Sequence, residues 1–286
     1  MHSNLEALAD FVQRHPRLFV LTGAGVSTES GIPDYRDANG DWKRTPPVTY
    51  QAFMGSEATR QRYWARSMIG WRVMGRARPG PAHQALAQLE QDGRVSLLLT
   101  QNVDGLHQAA GSRRTVDLHG RIDTVRCMAC EARSTRADLQ SRLLALNPAW
   151  AALSADVAPD GDADLEHSDF GSFQIPACIQ CGGVLKPDVV FFGESVPRER
   201  VHAAMSVLQG SDAVLVAGSS LMVYSGFRFV QAAAAAGKPI AAINLGRTRA
   251  DELLTLKVPM PCGEALAALA ATLASAPIPA VATGAE

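Results

Sequence analysis

The sequence predicts an α/β fold, a doubly wound parallel sheet with helices on both faces, interrupted by two insertions. Three observations carry this. Short aliphatic runs recur at 18–21, 95–99, 116–118, 189–192, 213–217 and 240–243, with helical stretches between them. Continuous apolar runs without alternation are what a sheet covered on both faces requires. Most runs end in small or polar residues, as in Thr22-Gly23-Ala24-Gly25, Thr100-Gln101-Asn102-Val103-Asp104, His119-Gly120, Gly218-Ser219-Ser220 and Asn244-Leu245-Gly246. Finally, two stretches, 37–81 and 121–187, break the alternation and read as insertions.

Taken in order, the chain opens on a helix, with Ser3 and Glu6 at capping-box spacing and Leu5, Leu8 and Val12 on one stripe. This start lacks the basic, apolar-centred pattern of a secretory signal, which predicts a cytoplasmic protein. The 37–81 insertion is rich in Arg and aromatics and contains a helix with Trp64, Met68 and Trp71 on one face. The 121–187 insertion holds four of the five cysteines and an acidic loop at 156–169. A last amphipathic helix is predicted over 265–274 from Leu266, Leu269 and Leu273, followed by a flexible Ala/Pro tail broken by Pro277 and Pro279, so no bilayer span is expected. The implied organisation is a Rossmann-like domain from 1–36, 82–120 and 188–275, a helical insertion at 37–81, a zinc-ribbon insertion at 121–187 and a tail at 276–286.

Composition narrows the function classes. The chain has 286 residues, 47% of them hydrophobic, and 27 Lys plus Arg against 28 Asp plus Glu, for a formal net charge of −1. That is enough apolar mass for one large domain with an inserted module. It lacks the basic excess that a nucleic-acid footprint requires. There is no GxSxG elbow, Walker A sequence or HExxH, so serine-hydrolase, P-loop and zincin readings lack their defining parts.

Cys127-x-x-Cys130 and Cys178-x-x-Cys181 form two knuckles, the second followed by Gly182-Gly183. Four thiolates with no other ligand type suit one closed, tetrahedral, structural zinc. The 47 intervening residues, 131–177, exceed ordinary ribbon spacing and require an insertion. Disulfides are the competing reading, disfavoured in a reducing compartment. Cys262, the odd one, reads as a buried small hydrophobe.

Gly23-Ala24-Gly25 after a strand allows backbone amides to cradle a pyrophosphate. A tight strand-to-helix turn without ligand accounts for it as well. The third glycine of G-x-G-x-x-G is replaced by Thr28 and no strand ends in a suitably spaced acid, so the dehydrogenase fingerprint fails. The loop continues, however, as Val26-Ser27-Thr28-Glu29-Ser30-Gly31-Ile32-Pro33-Asp34-Tyr35-Arg36. Here the sequence resembles the sirtuins, the NAD-dependent protein deacylases, whose signature is GAGxSxxxGIPDFR; Tyr35 stands where most members have Phe. Further matches follow in the family's order, at Gln101-Asn102-Val103-Asp104, Leu118-His119-Gly120, the two CxxC pairs, the stretch from Lys186-Pro187-Asp188 to Gly193-Glu194, and Gly218-Ser219-Ser220-Leu221. Motifs at 111–114, 158–162 and 223–226 look most like the class II members.

The resemblance implies specific roles. NAD is consumed: the acyl oxygen of an acyl-lysine attacks the anomeric carbon of the nicotinamide ribose, nicotinamide leaves and an alkylamidate forms. His119 then activates a ribose hydroxyl, giving free lysine and O-acyl-ADP-ribose. Asn102 and Asp104 would line the nicotinamide and ribose end, with Gln101 on that ribose. Gly23, Ala24, Gly25, Ser27, Ile32, Pro33, Asp34, Tyr35, Arg36, Val103, Gly218, Ser219, Ser220, Asn244, Leu245 and Gly246 would hold the cofactor, with Cys262 touching the adenine through its backbone. An acyl-lysine protein or peptide would enter as a strand along Val189, Val190, Phe191, Gly193 and Glu194. The expected partners are such substrates, with no nucleic acid and no membrane. Protein ADP-ribosylation and a non-catalytic NAD sensor are the alternatives. Tyr63 and Arg66 stand one helical turn apart, as in sirtuins that bind the distal carboxylate of acidic acyl chains. On a helical wheel Arg66 falls nearly opposite the Trp64 stripe, so a solvated basic face is the plainer reading.

Overall fold

A computed structural model describes residues 2–43, 46–153 and 169–274. The acidic loop, apart from Asp169, and the C-terminal tail lie outside the described residues. The first half of the chain lays down α1 (His2–Arg14), β1 (Leu18–Thr22), α2 (Tyr50–Gly55), α3 (Glu57–Met74), α4 (Pro81–Gln91), β2 (Val95–Thr100), α5 (Leu106–Ala109) and β3 (Thr115–Asp117). The remainder forms β4 (Gly120–Cys127), β5 (Arg133–Thr135), α6 (Arg136–Leu146), α7 (Pro148–Ala151), β6 (Leu185–Val189), α8 (Arg198–Gly210), β7 (Ala213–Ala217), α9 (Tyr224–Ala235), β8 (Ile240–Ile243), β9 (Leu256–Val258) and α10 (Cys262–Ala274).

Six strands pair in the order β3-β2-β1-β7-β8-β9, all parallel. Leu18 and Val20 of β1 point into a core shared with α1, α4 and α10, whereas Phe19 and Leu21 point into a second core shared with α8 and α9. Both faces are therefore dry, which is why the strands lack polar alternation. The chain winds outward from β1 through β2 to β3, then returns to β7 on the opposite side of β1. That reversal creates a crevice beyond the carboxyl ends of β1 and β7, where such folds bind ligands.

Several sequence expectations change. The apolar run at 189–192 is not a strand of the parallel sheet: Val189 ends β6, which pairs antiparallel with β4 in a separate sheet of order β5-β4-β6. Its apolar residues serve a different core, where Phe191 packs with Phe53, Tyr63 and Trp64. β9 is not legible in the sequence because it has only three residues, with a lysine at its centre. The capping box at Ser3 falls inside α1, which already begins at His2.

The second unit joins this small sheet to α2, α3 and α6. α3 is capped by Ser56, whose hydroxyl accepts from the Thr59 amide. The helix is buried around most of its circumference, at Tyr63, Trp64, Ala65, Ser67, Met68, Ile69 and Gly70, because α2, α6 and α7 all pack against it. The solvated basic face expected of α3 is therefore absent at this stretch, and Arg66 itself is half-buried. The buried Arg136 of α6 ties the layers together, stacking over Trp71 at 4.8 Å and donating to the Ser67 carbonyl at 3.1 Å. Among the described residues no helix is long and apolar enough to cross a membrane.

The switch point admits only glycine. A Cβ on Gly218, whose φ is +61°, would lie 2.5 Å from the Val26 nitrogen. Gly237 has a similar φ of +66° but nothing within 4 Å of its Cβ position. Gly237→Ala should therefore cost only the left-handed backbone term, about 1 kcal/mol, while Gly218→Ala should cost at least about twice that. Urea denaturation of both variants checks this, and equal losses would remove crowding from the account.

Candidate active site and metal centre

The two inner strands are stitched together where they end. Gly23 N donates to the Ala217 carbonyl at 3.1 Å and Gly25 N to the Gly218 carbonyl at 2.9 Å. Beyond them the chain turns through residues 24–30 in two short 3-10 turns, which places Ser27 at the centre of a polar cluster. Its hydroxyl donates to Asp104 Oδ2 at 2.7 Å, accepts from Asn102 Nδ2 at 3.0 Å and faces His83 Nε2 at 3.4 Å. Asn102 also donates to the Gly23 carbonyl at 3.1 Å, and Asp104 Oδ1 caps α5 through the Leu106 amide at 2.9 Å. Because His83 Nδ1 accepts from the Gly80 amide, its proton resides on Nε2, facing Ser27. The His83 ring lies 4.8 Å from that of His107, which bonds Thr22 at 2.9 Å. Burial lowers both histidines, His107 to about 3, so both rings are neutral at pH 7.

His119 occupies the two-residue gap between β3 and β4 and faces the crevice. Its Nδ1 lies 2.9 Å from the Gln101 carbonyl and its Nε2 lies 2.8 Å from Ser225 Oγ. A carbonyl only accepts, so Nδ1 holds the proton and Nε2 presents a lone pair. Burial, opposed by the Gln101 bond and reinforced by the Arg200 and Arg228 charges, pushes the imidazole down to about 4. At neutral pH it is an unprotonated base. Gln101 is itself held through its side chain, which donates to Ser219 Oγ at 2.8 Å.

Ser27, Gln101, Asn102, Asp104, His119 and Ser225 line one cavity of about 890 Å³, within the size range of cofactor sites, with His83 and His107 buried behind Ser27. Its walls include Gly23, Ala24, Gly25, Ser27, Ile32, Asp34, Tyr35 and Arg36 from the β1 ending, and all of Gln101, Asn102, Val103 and Asp104 from the β2 ending. Gly218, Ser219, Ser220, Asn244, Leu245, Gly246 and Cys262 line it from the β7, β8 and α10 side. Pro33 is not among the lining residues. Tyr35 is set edge-on to Trp42 at 6.1 Å, and the Arg36 guanidinium sits 4.0 Å over the Trp42 ring and donates to the Gly40 carbonyl. Burial pushes the Cys262 thiol up to about 12, which leaves it a protonated, apolar lining group.

Val189, Val190, Phe191, Gly193 and Glu194 form the opposite wall. Their loop is clamped by a buried ammonium: Lys186 Nζ pairs with Glu194 Oε2 at 3.0 Å and donates to the Val189 carbonyl at 2.5 Å, with Phe191 beneath it at 4.5 Å. Glu194 in turn accepts from the Phe191 amide at 2.9 Å. Tyr63 reaches the cavity through its contacts with Phe53 and Phe191, but Arg66 is not among the lining residues.

The four cysteines converge, with all Sγ atoms within 4.8 Å of one another and the closest pairs, Cys127–Cys181 and Cys130–Cys178, at 3.5 and 3.8 Å. Zn–S bonds of about 2.3 Å in a tetrahedron require S···S separations of about 3.8 Å, so the donor set fits zinc. The backbone amides of Cys130 and Ala129 pull the Cys127 thiol down to about 6. Gly183 leaves room for the sulfurs: a Cβ there would lie 2.9 Å from Cys127 Sγ. The competing disulfide reading finds no support, since all five cysteines are free.

Sequence reasoning missed His83 and Arg228, and gave no role to Lys186 or Ser225 although both fall within stretches it matched. His83 lies in a helix pattern and Lys186 in a strand, where each reads as ordinary; only the fold sets them against the lining residues Ser27 and Glu194. Cys127→Ser should abolish zinc retention, lowering metal content from one zinc per chain to near none and melting the small sheet first, because a structural site's binding energy is folding energy. Metal analysis of the purified wild type and variant tests this; metal-free, fully folded wild-type protein would refute it.

A sequence model of the Sir2 family matches residues 23–225. The protein named NAD-dependent protein deacetylase 2 of Bradyrhizobium diazoefficiens is 66% identical over 264 residues, covering 92% of this chain and 97% of that protein. An NAD-dependent protein deacetylase of Bordetella bronchiseptica is 65% identical, covering 93% and 97%. A solved complex of a Sir2 homologue with NAD has a TM-score of 0.73 at 31% identity, covering 94% of this chain and 93% of that one. A Sir2 complex with a p53 peptide and NAD+ has a TM-score of 0.75 at 28% identity, covering 95% and 99%.

Proposed function

Because this chain belongs to the Sir2 family, we propose that the crevice around His119 is the active site of an NAD-dependent protein-lysine deacylase that releases nicotinamide and O-acyl-ADP-ribose. The observation that carries this reading is a neutral imidazole with its tautomer set by a backbone carbonyl, at the wall of a cavity that glycine-rich backbone also lines. When bound, NAD supplies an anomeric carbon that parts from nicotinamide and accepts the acyl oxygen of the lysine substrate.

This chain's residues perform the remaining tasks. Gly23, Gly25 and Gly218 keep the phosphate end of the crevice bare of side chains, which would there collide with the opposite strand ending. Asn102 and Asp104, locked to Ser27, hold the polar groups at the nicotinamide end without freedom to rotate. His119 Nε2 takes the proton of a ribose hydroxyl once that hydroxyl displaces Ser225 from its lone pair. Tyr35, Trp42 and Phe192, packed edge to face, exclude water from one side of the site. The clamped loop at 189–194 offers an acyl-lysine peptide its backbone edge. The cysteine cluster would hold zinc as a structural ion that stiffens β4, the strand that begins directly after His119.

Mass spectrometry of an acetyl-lysine peptide incubated with the protein and NAD should find deacylated peptide and O-acyl-ADP-ribose; an ADP-ribosylated protein with intact peptide would favour transfer instead. His119→Ala should lower turnover by about 100-fold or more, and retention of a tenth of the activity would refute the base assignment. The sign of its pH dependence is also set. A base with pKa about 4 is already deprotonated well below neutrality, so kcat/KM should show no acid limb near the ordinary histidine value of about 6.5. A midpoint there would mean that the imidazole is not desolvated as the structure shows.

A further inference from the structure

The first turn of α9 brings a guanidinium to the active site that the deacylation chemistry does not employ. The relevant residues are Ser225, Gly226 and Arg228. Ser225 Oγ reaches His119 Nε2 at 2.8 Å. Gly226 lets the turn press on Gln101, where a Cβ would lie 2.5 Å from Oε1. One turn from Ser225, Arg228 lines the cavity, its Cζ 5.2 Å from the exposed Tyr224 ring. Its Nε is buried and has no hydrogen-bond partner, and among the described residues it enters no ion pair. Arg249 adds a second cation to this rim, 4.5 Å over Phe227 and 6.0 Å from Tyr224. A buried guanidinium edge without an acceptor is costly unless a ligand supplies one, and its fork matches a carboxylate.

We propose that Arg228, backed by Tyr224 and Arg249, is an anion subsite beside His119 that binds a carboxylate of the acyl-lysine substrate, borne either by the acyl chain or by an acidic side chain flanking the lysine. The proposal rests on the deacylase reading and names the substrate class of that same site. It replaces Arg66, which does not line the cavity, as the charge that selects acidic substrates.

The test uses one peptide in three forms: neutral flanks with acetyl-lysine, Glu-flanked acetyl-lysine, and neutral flanks with glutaryl-lysine. For the wild type, kcat/KM should favour one acidic form over the neutral one by about ten-fold, and Arg228→Gln should bring that ratio close to one. The form that responds identifies the source of the carboxylate. Arg228→Glu should invert the preference towards a Lys-flanked peptide, a gain that misfolding cannot mimic. A wild-type ratio near one, or a ratio unchanged in Arg228→Gln, would overturn the proposal. So would a rise in the KM for NAD shared by all three peptides, which would assign Arg228 to the cofactor phosphates. Calorimetric binding of the same peptides without NAD separates the two readings: a charge preference that depends on Arg228, without turnover of any peptide, would sustain the subsite and refute the deacylase activity.

Discussion

Everything in this crevice depends on two backbones passing closer than side chains allow. Gly25 and Gly218 face each other across the β1–β7 boundary, and a Cβ on Gly25 would lie 2.8 Å from the Gly218 Cα. The winding order of the strands reverses at that boundary, so the connections leaving β1 and β7 part above it and leave a crevice between them. The missing side chains allow the 24–30 turn to fold down onto β7, and that turn carries Ser27 into contact with Asn102 and Asp104 from the β2 ending. A methyl group at the crossing would therefore displace a polar network as well as a backbone.

The second organising feature is the position of His119 at the seam between the two units. It follows the last strand of one side of the parallel sheet and precedes the first strand of the small antiparallel sheet. Its Nδ1 is tied to Gln101 of the larger unit, while the next residue, Gly120, pairs with Val189 at the start of the clamped loop. A rearrangement of the cysteine cluster is thus connected through β4 to His119, and one at Lys186 through β6. The same burial that ties the ring in place removes its charge, so position and protonation state have one cause.

The fold class, the glycine-rich strand endings, the cysteine quartet and His119 are legible in the amino-acid order alone, because each is a local pattern: an apolar run followed by a turn, a CxxC pair, a histidine after a strand. What lies between those patterns is settled by long-range packing. Residues 189–192 look like another buried parallel strand, since apolar content does not say which core it fills; pairing with β4 sends them to the smaller sheet. The wheel of α3 shows one stripe, but three neighbouring helices bury the other faces. His83 is 36 residues before His119 in the chain and Arg228 is 109 after it, and no periodicity links them. Arg228 meets the crevice and His83 backs it through Ser27 because the sheet order places β2, β1 and β7 side by side, and a strand order is a sum of long-range packing choices that no short window of sequence contains.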